Sequence, residues 1–245
     1  MVKQDNIRKH LEIIVDSVTL AVFFVLFFIG GYAIVDAALI DNGAQVDKEV
    51  LSLAPSESND SEYDFRELKN INPDIIAWLR LDDTQISYPV LQTSDNSKYL
   101  VRDYRGEYNT GGAIFVDSRN DKVSDEYTII YGHRMDGEKM FGQITKFEEK
   151  AFFDDHTSGT LYTEDGIYDL QVLAYAIINI GTTTLYKLDV NSNGHNDEIL
   201  SEVWTSAKYR RDDIRTNENK LIMLSTCDRD SKNYRDVLLL SATKR

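Results

Sequence analysis

Apolar residues gather first in one unbroken block near the N-terminus and then recur in short alternating bursts, and the two patterns predict different elements. From Ser17 to Val35 (SVTLAVFFVLFFIGGYAIV) no residue is charged. As a helix rising 1.5 Å per residue, such a run covers roughly 28 Å, close to the thickness of a bilayer's hydrocarbon core. An uncleaved transmembrane helix over residues 17–40 is expected. A buried core helix or a cleaved leader would also give an apolar run, and Ala37 and Ala38 leave a cleavage site open, but a leader's apolar stretch is only about 7–15 residues long. Lys3, Arg8 and Lys9 precede the block, whereas Asp36, Asp41 and Asp47 follow it with only Lys48 nearby. That bias keeps residues 1–16 in the cytoplasm and puts the chain from about Asp41 onward outside the cell. Residues 41–61 are small, polar and acidic after a short apolar patch, the composition of an extracellular stalk. The boundary is expected near Ser61, with one domain over residues 62–245.

Within that domain YDFRELK (Tyr63 to Lys69) reads as one or two helical turns, broken by Asn72-Pro73-Asp74. Short β-branched and aromatic runs then follow: IAWLRL from Ile76, ISYPVLQ from Ile86, GAIFVD from Gly112, YTIIYG from Tyr127, GTLYTE from Gly159 and IYDLQVLAYAIIN from Ile167. Asp82-Asp83 supplies a turn between the first two, and Asp165-Gly166 a hairpin between the last two. LIMLSTC and VLLLSA complete a set of about eight strands, a number that predicts a closed or nearly closed β-barrel with few free edges. Helical insertions are expected at Met140 to Phe153 and at Asn196 to Arg210, where Ile199, Val203 and Ala207 recur every four residues. The fold class is thus mainly β, with N-terminal helices and a long helix inserted before the cysteine strand.

A formal net charge of -14 removes nucleic acid from the partners, since phosphate binding needs a surplus of Lys and Arg on some face. The single cysteine excludes an intramolecular disulfide and a Cys-rich metal site. The acidic residues form no ligand-spaced loop, so neither a metal nor another cofactor is expected.

Cys227 ends the run LIMLSTC and meets the polar loop Asp228 to Asn233. A lone cysteine is commonly a small buried hydrophobe, but a thiol at a strand end beside a charged loop is exposed to oxidation unless it is used. A thiolate nucleophile needs a base or an imidazolium beside it. Of the four histidines, His10 is on the cytoplasmic side, and His156 and His195 lie in polar turns. His133 directly follows the strand YTIIYG and is the preferred partner. Acyl transfer further requires donors where negative charge develops on the carbonyl oxygen. Arg235 begins the strand VLLLSA across the loop from Cys227, where its guanidinium can donate. A surface arginine paired with Asp228, Asp230 or Asp236 is the plainer reading, and Arg229 competes from within the loop. Tyr131 and Ser225 each stand two residues before the histidine and the cysteine, so strand alternation aims them to the same face as those residues.

Leu224-Ser225-Thr226-Cys227 resembles the sortase signature Thr-Leu-x-Thr-Cys, with Met223 in place of the first threonine. Trp78-Leu79, Tyr88-Pro89-Val90, Gln92, Asp95-Asn96 and Tyr99-Leu100 are similar to the opening of class B sortases, and Tyr131-Gly132-His133 to the family's histidine motif. Arg235 falls where the family's arginine begins the last strand. The resemblance implies an eight-stranded sortase-type barrel and a membrane-anchored cysteine transpeptidase. By analogy Cys227 forms a thioester with the threonine of a secreted protein's C-terminal sorting signal. His133 protonates the leaving amine, and Arg235 with a backbone N–H near Asp228 holds the oxyanion. An amino group of a peptidoglycan precursor then resolves the thioester. Tyr131, Ser225 and Asn96 are expected to contact substrate. Asn-Pro-x-Thr-Asn and Pro-x-Thr-Gly signals both fit the resemblance. Two other readings share these residues: a Cys/His peptidase that hydrolyses wall peptides, and a non-catalytic barrel that binds a wall ligand.

Overall fold

The computed structural model describes residues 2–43, 46–55, 65–188, 195–212, 220–227 and 233–245. The chain divides into two compact units, Met1–Asn42 and Gly43–Arg245. The first is a single helix, α1 (Val2–Gly43), in which Arg8–Ile40 is long and apolar enough to cross a membrane. Its Phe23, Phe27 and Phe28 side chains are exposed, so this helix has no protein core of its own.

The second unit opens with α2 (Lys48–Ser52). Asp47 caps it by accepting from the Val50 N–H at 3.0 Å, and its other oxygen accepts from the Tyr104 hydroxyl at 2.9 Å and from Arg105 at 2.5 Å. Val46 and Val50 are buried in the main core. Part of the segment read as a stalk is therefore folded into this unit. The expected boundary at Ser61 falls outside the described residues, as do Tyr63 and Asp64. The next helix, α3, covers Arg66–Ile71.

Among the described residues nine strands follow: β1 (Ile75–Leu81), β2 (Ser87–Leu91), β3 (Ile114–Val116), β4 (Tyr127–Tyr131), β5 (Ser158–Thr163), β6 (Gly166–Asn179), β7 (Ala207–Arg210), β8 (Lys220–Cys227) and β9 (Tyr234–Lys244). Eight of them run in the order β5-β1-β2-β3-β4-β8-β9-β6, and pairing of β6 with β5 closes the ring. This is the expected barrel. The ninth strand, β7, pairs with β6 beyond the stretch that β5 occupies.

Closure explains why several strands read as continuous rather than alternating apolar runs: both faces are covered. Ile222 and Leu224 of β8 and Leu238 and Leu240 of β9 point into the core shared by all the barrel strands. Leu221, Met223, Val237 and Leu239, on the opposite face, pack with Ile199 and Val203 of α5 (His195–Ser206). A register shift in β6 between Val172 and Ala174 lets Leu173 and Ala174 both join that outer layer.

Two helical expectations change. Residues 142–148 form a 3-10 helix, and Glu149, in extended conformation, separates it from α4 (Lys150–Asp155). At the start of the 3-10 segment the packing is tight: a Cβ on Gly142 would lie 2.3 Å from the Met135 carbonyl. The expected helix through Arg210 stops at Ser206, because Ala207 and Tyr209 pair with Ala176 and Tyr175 of β6. Tertiary pairing there overrides local propensity.

Burying one valine side chain contributes roughly 1.5–3 kcal/mol. A chain begun at residue 62 is accordingly expected to unfold at lower denaturant than one begun at 44, as circular dichroism in urea would show.

Candidate active site

The site grows from one register. β4 and β8 pair in parallel with Tyr131 opposite Ser225, and β8 and β9 pair antiparallel with Cys227 opposite Arg235. Parallel strands end on the same edge of a sheet, so the segments leaving β4 and β8 emerge side by side. The Gly132 N–H extends the ladder by donating to the Ser225 carbonyl at 3.2 Å. His133 follows Gly132 at the edge where β8 ends in Cys227, and Arg235, opposite Cys227, lies on the other flank.

At this edge lies a pocket of about 240 Å³ lined by His133, Arg235, Tyr131, Ser225, Asn96 and Leu100, among others. Five of the six sequence-selected residues therefore share one cavity. The sixth, Cys227, is described only as the end of β8 paired with Arg235. Asp228, near which a backbone N–H was expected in the oxyanion site, and Arg229 lie outside the described residues.

The His133 imidazole is held by Nε2, 2.8 Å from the Leu100 carbonyl. A carbonyl only accepts, so Nε2 carries the hydrogen and Nδ1 is the basic nitrogen of the neutral ring. Behind the ring stands Gly112, with φ +64, where a Cβ would meet His133 Cδ2 at 2.8 Å and the Tyr99 carbonyl at 2.6 Å. Only glycine satisfies both the left-handed backbone and that approach. His156 has a different occupation: its ring nitrogens meet the carbonyls of Phe152 and Asp83, and it stacks on Phe152. His195 opens α5. His133 is thus the histidine that lines the pocket. Arg235 donates from Nη1 to the Tyr234 carbonyl at 2.7 Å.

Two residues overlooked in the sequence hold the pocket wall. Asp117, fully buried, accepts from the Tyr131 hydroxyl at 2.9 Å and from Arg119 Nε and Nη2 at 2.8 and 2.7 Å, and it also hydrogen-bonds Asn96. Burial works to raise its pKa, but the hydrogen bonds from Arg119, Tyr131 and Asn96 outweigh it and hold the carboxyl at about 2. Burial and the Asp117 charge push the Tyr131 hydroxyl up, so it stays a donor. The second residue is Tyr186, whose hydroxyl lies 2.7 Å from Ser225 Oγ and whose ring stacks on Tyr131 at 6.3 Å. Asn96 also accepts from the Ser118 N–H at 2.7 Å, so its carbonyl end is committed to the protein. Neither Asp117 nor Tyr186 carried a local signal for the pocket, because the pocket residues they hold, Tyr131 and Ser225, lie on other segments of the chain.

With this geometry in view, the relatives are informative. No protein-family model matches the chain. It is 34% identical to the Sortase B of Listeria monocytogenes serovar 1/2a (strain ATCC BAA-679 / EGD-e) over 174 residues, 70% of this chain and 69% of that one. Among solved structures it resembles Clostridium perfringens Sortase B (30% identity, TM-score 0.66, 74% of this chain and 100% of that one). It likewise resembles the Staphylococcus aureus sortase B–substrate complex (29%, TM-score 0.67, 74% and 84%). A closed barrel with a histidine, an arginine and the end of a cysteine-bearing strand at one edge is the architecture of a thiol acyltransferase, and the chain belongs to the class B sortases. It is an enzyme of the cysteine transpeptidase type.

Two outcomes follow from the packing. Gly112→Ala is expected to leave the barrel folded but displace the His133 ring, lowering turnover about 10²-fold, the usual penalty for a misplacement near 1 Å; steady-state kinetics beside near-ultraviolet dichroism would check it. For Asp117, a folded pKa of about 2 against the usual 3.8 means a stabilisation fully present above the unfolded value and lost as pH falls through the folded one. It amounts to about 2 kcal/mol. Wild-type stability should therefore drop more steeply than that of Asp117→Asn between about pH 4 and pH 2 in urea titrations.

Proposed function

We propose that the chain is a membrane-anchored transpeptidase in which Cys227, His133 and Arg235 join a secreted protein's C-terminal sorting signal to an amino group of a peptidoglycan precursor. The observation that carries this reading is the convergence of His133, Arg235, Tyr131, Ser225 and Asn96 on one pocket at the edge where β8 ends in Cys227. The Cys227 thiolate attacks the carbonyl carbon of the threonine. As the C–N bond breaks, the leaving amine takes a proton from the His133 imidazolium, and an acyl thioester remains. Arg235, with a backbone N–H near Asp228, stabilises the oxyanion. An acceptor amine then attacks the thioester, gives up a proton to His133 and expels the thiolate.

The tautomer supports this assignment, since Nε2 is tied to the Leu100 carbonyl and Nδ1 is left to gain and release the proton. Tyr131, Ser225 and Asn96 form the wall that receives the sorting peptide. The Ser17–Val35 run, with its basic residues before and acidic residues after, supports a single span with the N-terminus in the cytoplasm and residues 62–245 outside the cell.

Incubation with sorting-signal pentapeptides, with and without an added amine, tests the proposal. Acceleration of product formation by the amine is expected. Indifference to it would make the enzyme a hydrolase of wall peptides. His133→Ala and Arg235→Ala should each keep the wild-type dichroism spectrum and lose transfer about 10³-fold or more, and near-normal turnover in either would remove that residue from the mechanism.

A further inference from the structure

On the barrel's inner side, at the edge where the pocket opens, three polar side chains meet that the transfer chemistry does not use. Asp236, on β9 next to Arg235, is only 3% exposed. The hydroxyl of Tyr175, a fully buried residue of β6, donates to its Oδ1 at 2.5 Å. Arg134, next to His133, brings Nη1 to 3.6 Å from its Oδ2. Asp236 is opposite Thr226 of β8, so the pair joins the two segments that flank the nucleophile's strand.

From this we infer that Asp236 is a positioning residue for the transfer reaction: its ion pair with Arg134 locks the His133 segment to the Arg235 strand across β8. The inference rests on the functional reading above. The need for such a lock is visible in the backbone. β4 ends at Tyr131, and beyond the Gly132–Ser225 bond the His133 segment turns back on itself, with the Phe141 N–H on the His133 carbonyl at 3.0 Å and an isolated bridge between Arg134 and Met140. That turn fixes the segment to itself. The Arg134–Asp236 contact fixes it laterally, and each partner is one peptide bond from a residue of the catalytic group. Asp236 is buried, so its charge acts on Arg134 through little water. Tyr175 orients the carboxylate from the neighbouring strand.

Asp236→Asn keeps the shape and the Tyr175 bond while removing the charge. In the full-length enzyme its kcat is expected to fall about 10- to 100-fold with KM changed less than about twofold, the signature of misplaced catalytic groups rather than lost binding. Arg134→Gln should act alike, the double variant should be no worse than either single one, and Arg134→Lys should recover most of the rate. If Asp236→Asn does not fold, the half-buried Arg134 carries the test alone through Arg134→Gln and Arg134→Lys. A merely structural pair would lower the unfolding temperature and leave kcat intact in the folded range, and that result overturns the inference. So does strict additivity of the two substitutions. His133→Ala and Arg235→Ala, measured alongside, separate the two levels: should both lose activity while Asp236→Asn does not, the site stands and the positioning role falls. Should either retain activity, the functional reading itself fails.

Discussion

Parallel pairing of β4 with β8, which sets Tyr131 opposite Ser225, is the constraint on which the site depends. A parallel pair delivers two strand ends to one edge, whereas a hairpin would deliver an end and a beginning. The antiparallel partner β9 then returns at that edge with Arg235 opposite Cys227. Slipping either pairing by one residue would send every side chain of the shifted strand to the other face. A slip of β8 would exchange Leu221 and Met223, in the layer under α5, with Ile222 and Leu224, in the barrel interior, and would carry Ser225 to the inner face. The packing that stabilises the fold is therefore also what aligns three chain segments for chemistry.

Polar support is arranged around this frame so that the pocket residues have few rotamers open to them. Tyr131 is fixed by the buried Asp117 carboxylate, itself neutralised by Arg119, and is stacked against Tyr186. His133 is fixed by a backbone carbonyl at one nitrogen and by Gly112 behind the ring. Preorganisation of this kind removes motions that would otherwise have to be frozen in the transition state. The chain leaving β6 is held to α5 in the same manner at Thr183 and Thr184, with Glu202 accepting from both hydroxyls and from the Thr184 N–H. Tyr186 lies just beyond that clamp.

Most of the barrel was legible in the sequence, because each strand carries its own alternation or apolar run and each turn its own breaker. His133, Ser225 and Tyr131 were legible for the same reason: a residue two places from a strand end inherits that strand's face. What escaped were features set by partners distant along the chain. β7 reads as the end of a helix until β6 offers it a ladder. Met140 to Phe153 reads as one helix, but the chain forms a 3-10 segment over residues 142–148 and an extended Glu149 before α4. Asp117 ends an apolar run and gives no local hint that Tyr131 and Asn96, from other segments, will close on it. The patch around Val46 and Val50 reads as linker because two valines cannot announce a core that the barrel supplies.

The central claim is that the end of β8 is where acyl transfer occurs, and the intact mass of the enzyme tests it most directly. The account predicts that full-length protein mixed with a sorting-signal peptide gains the mass of the acyl fragment, that the label maps to Cys227, and that it disappears when an acceptor amine is added. A label on any other residue, or turnover without a thiol-bound intermediate in a Cys227→Ala variant, would contradict it.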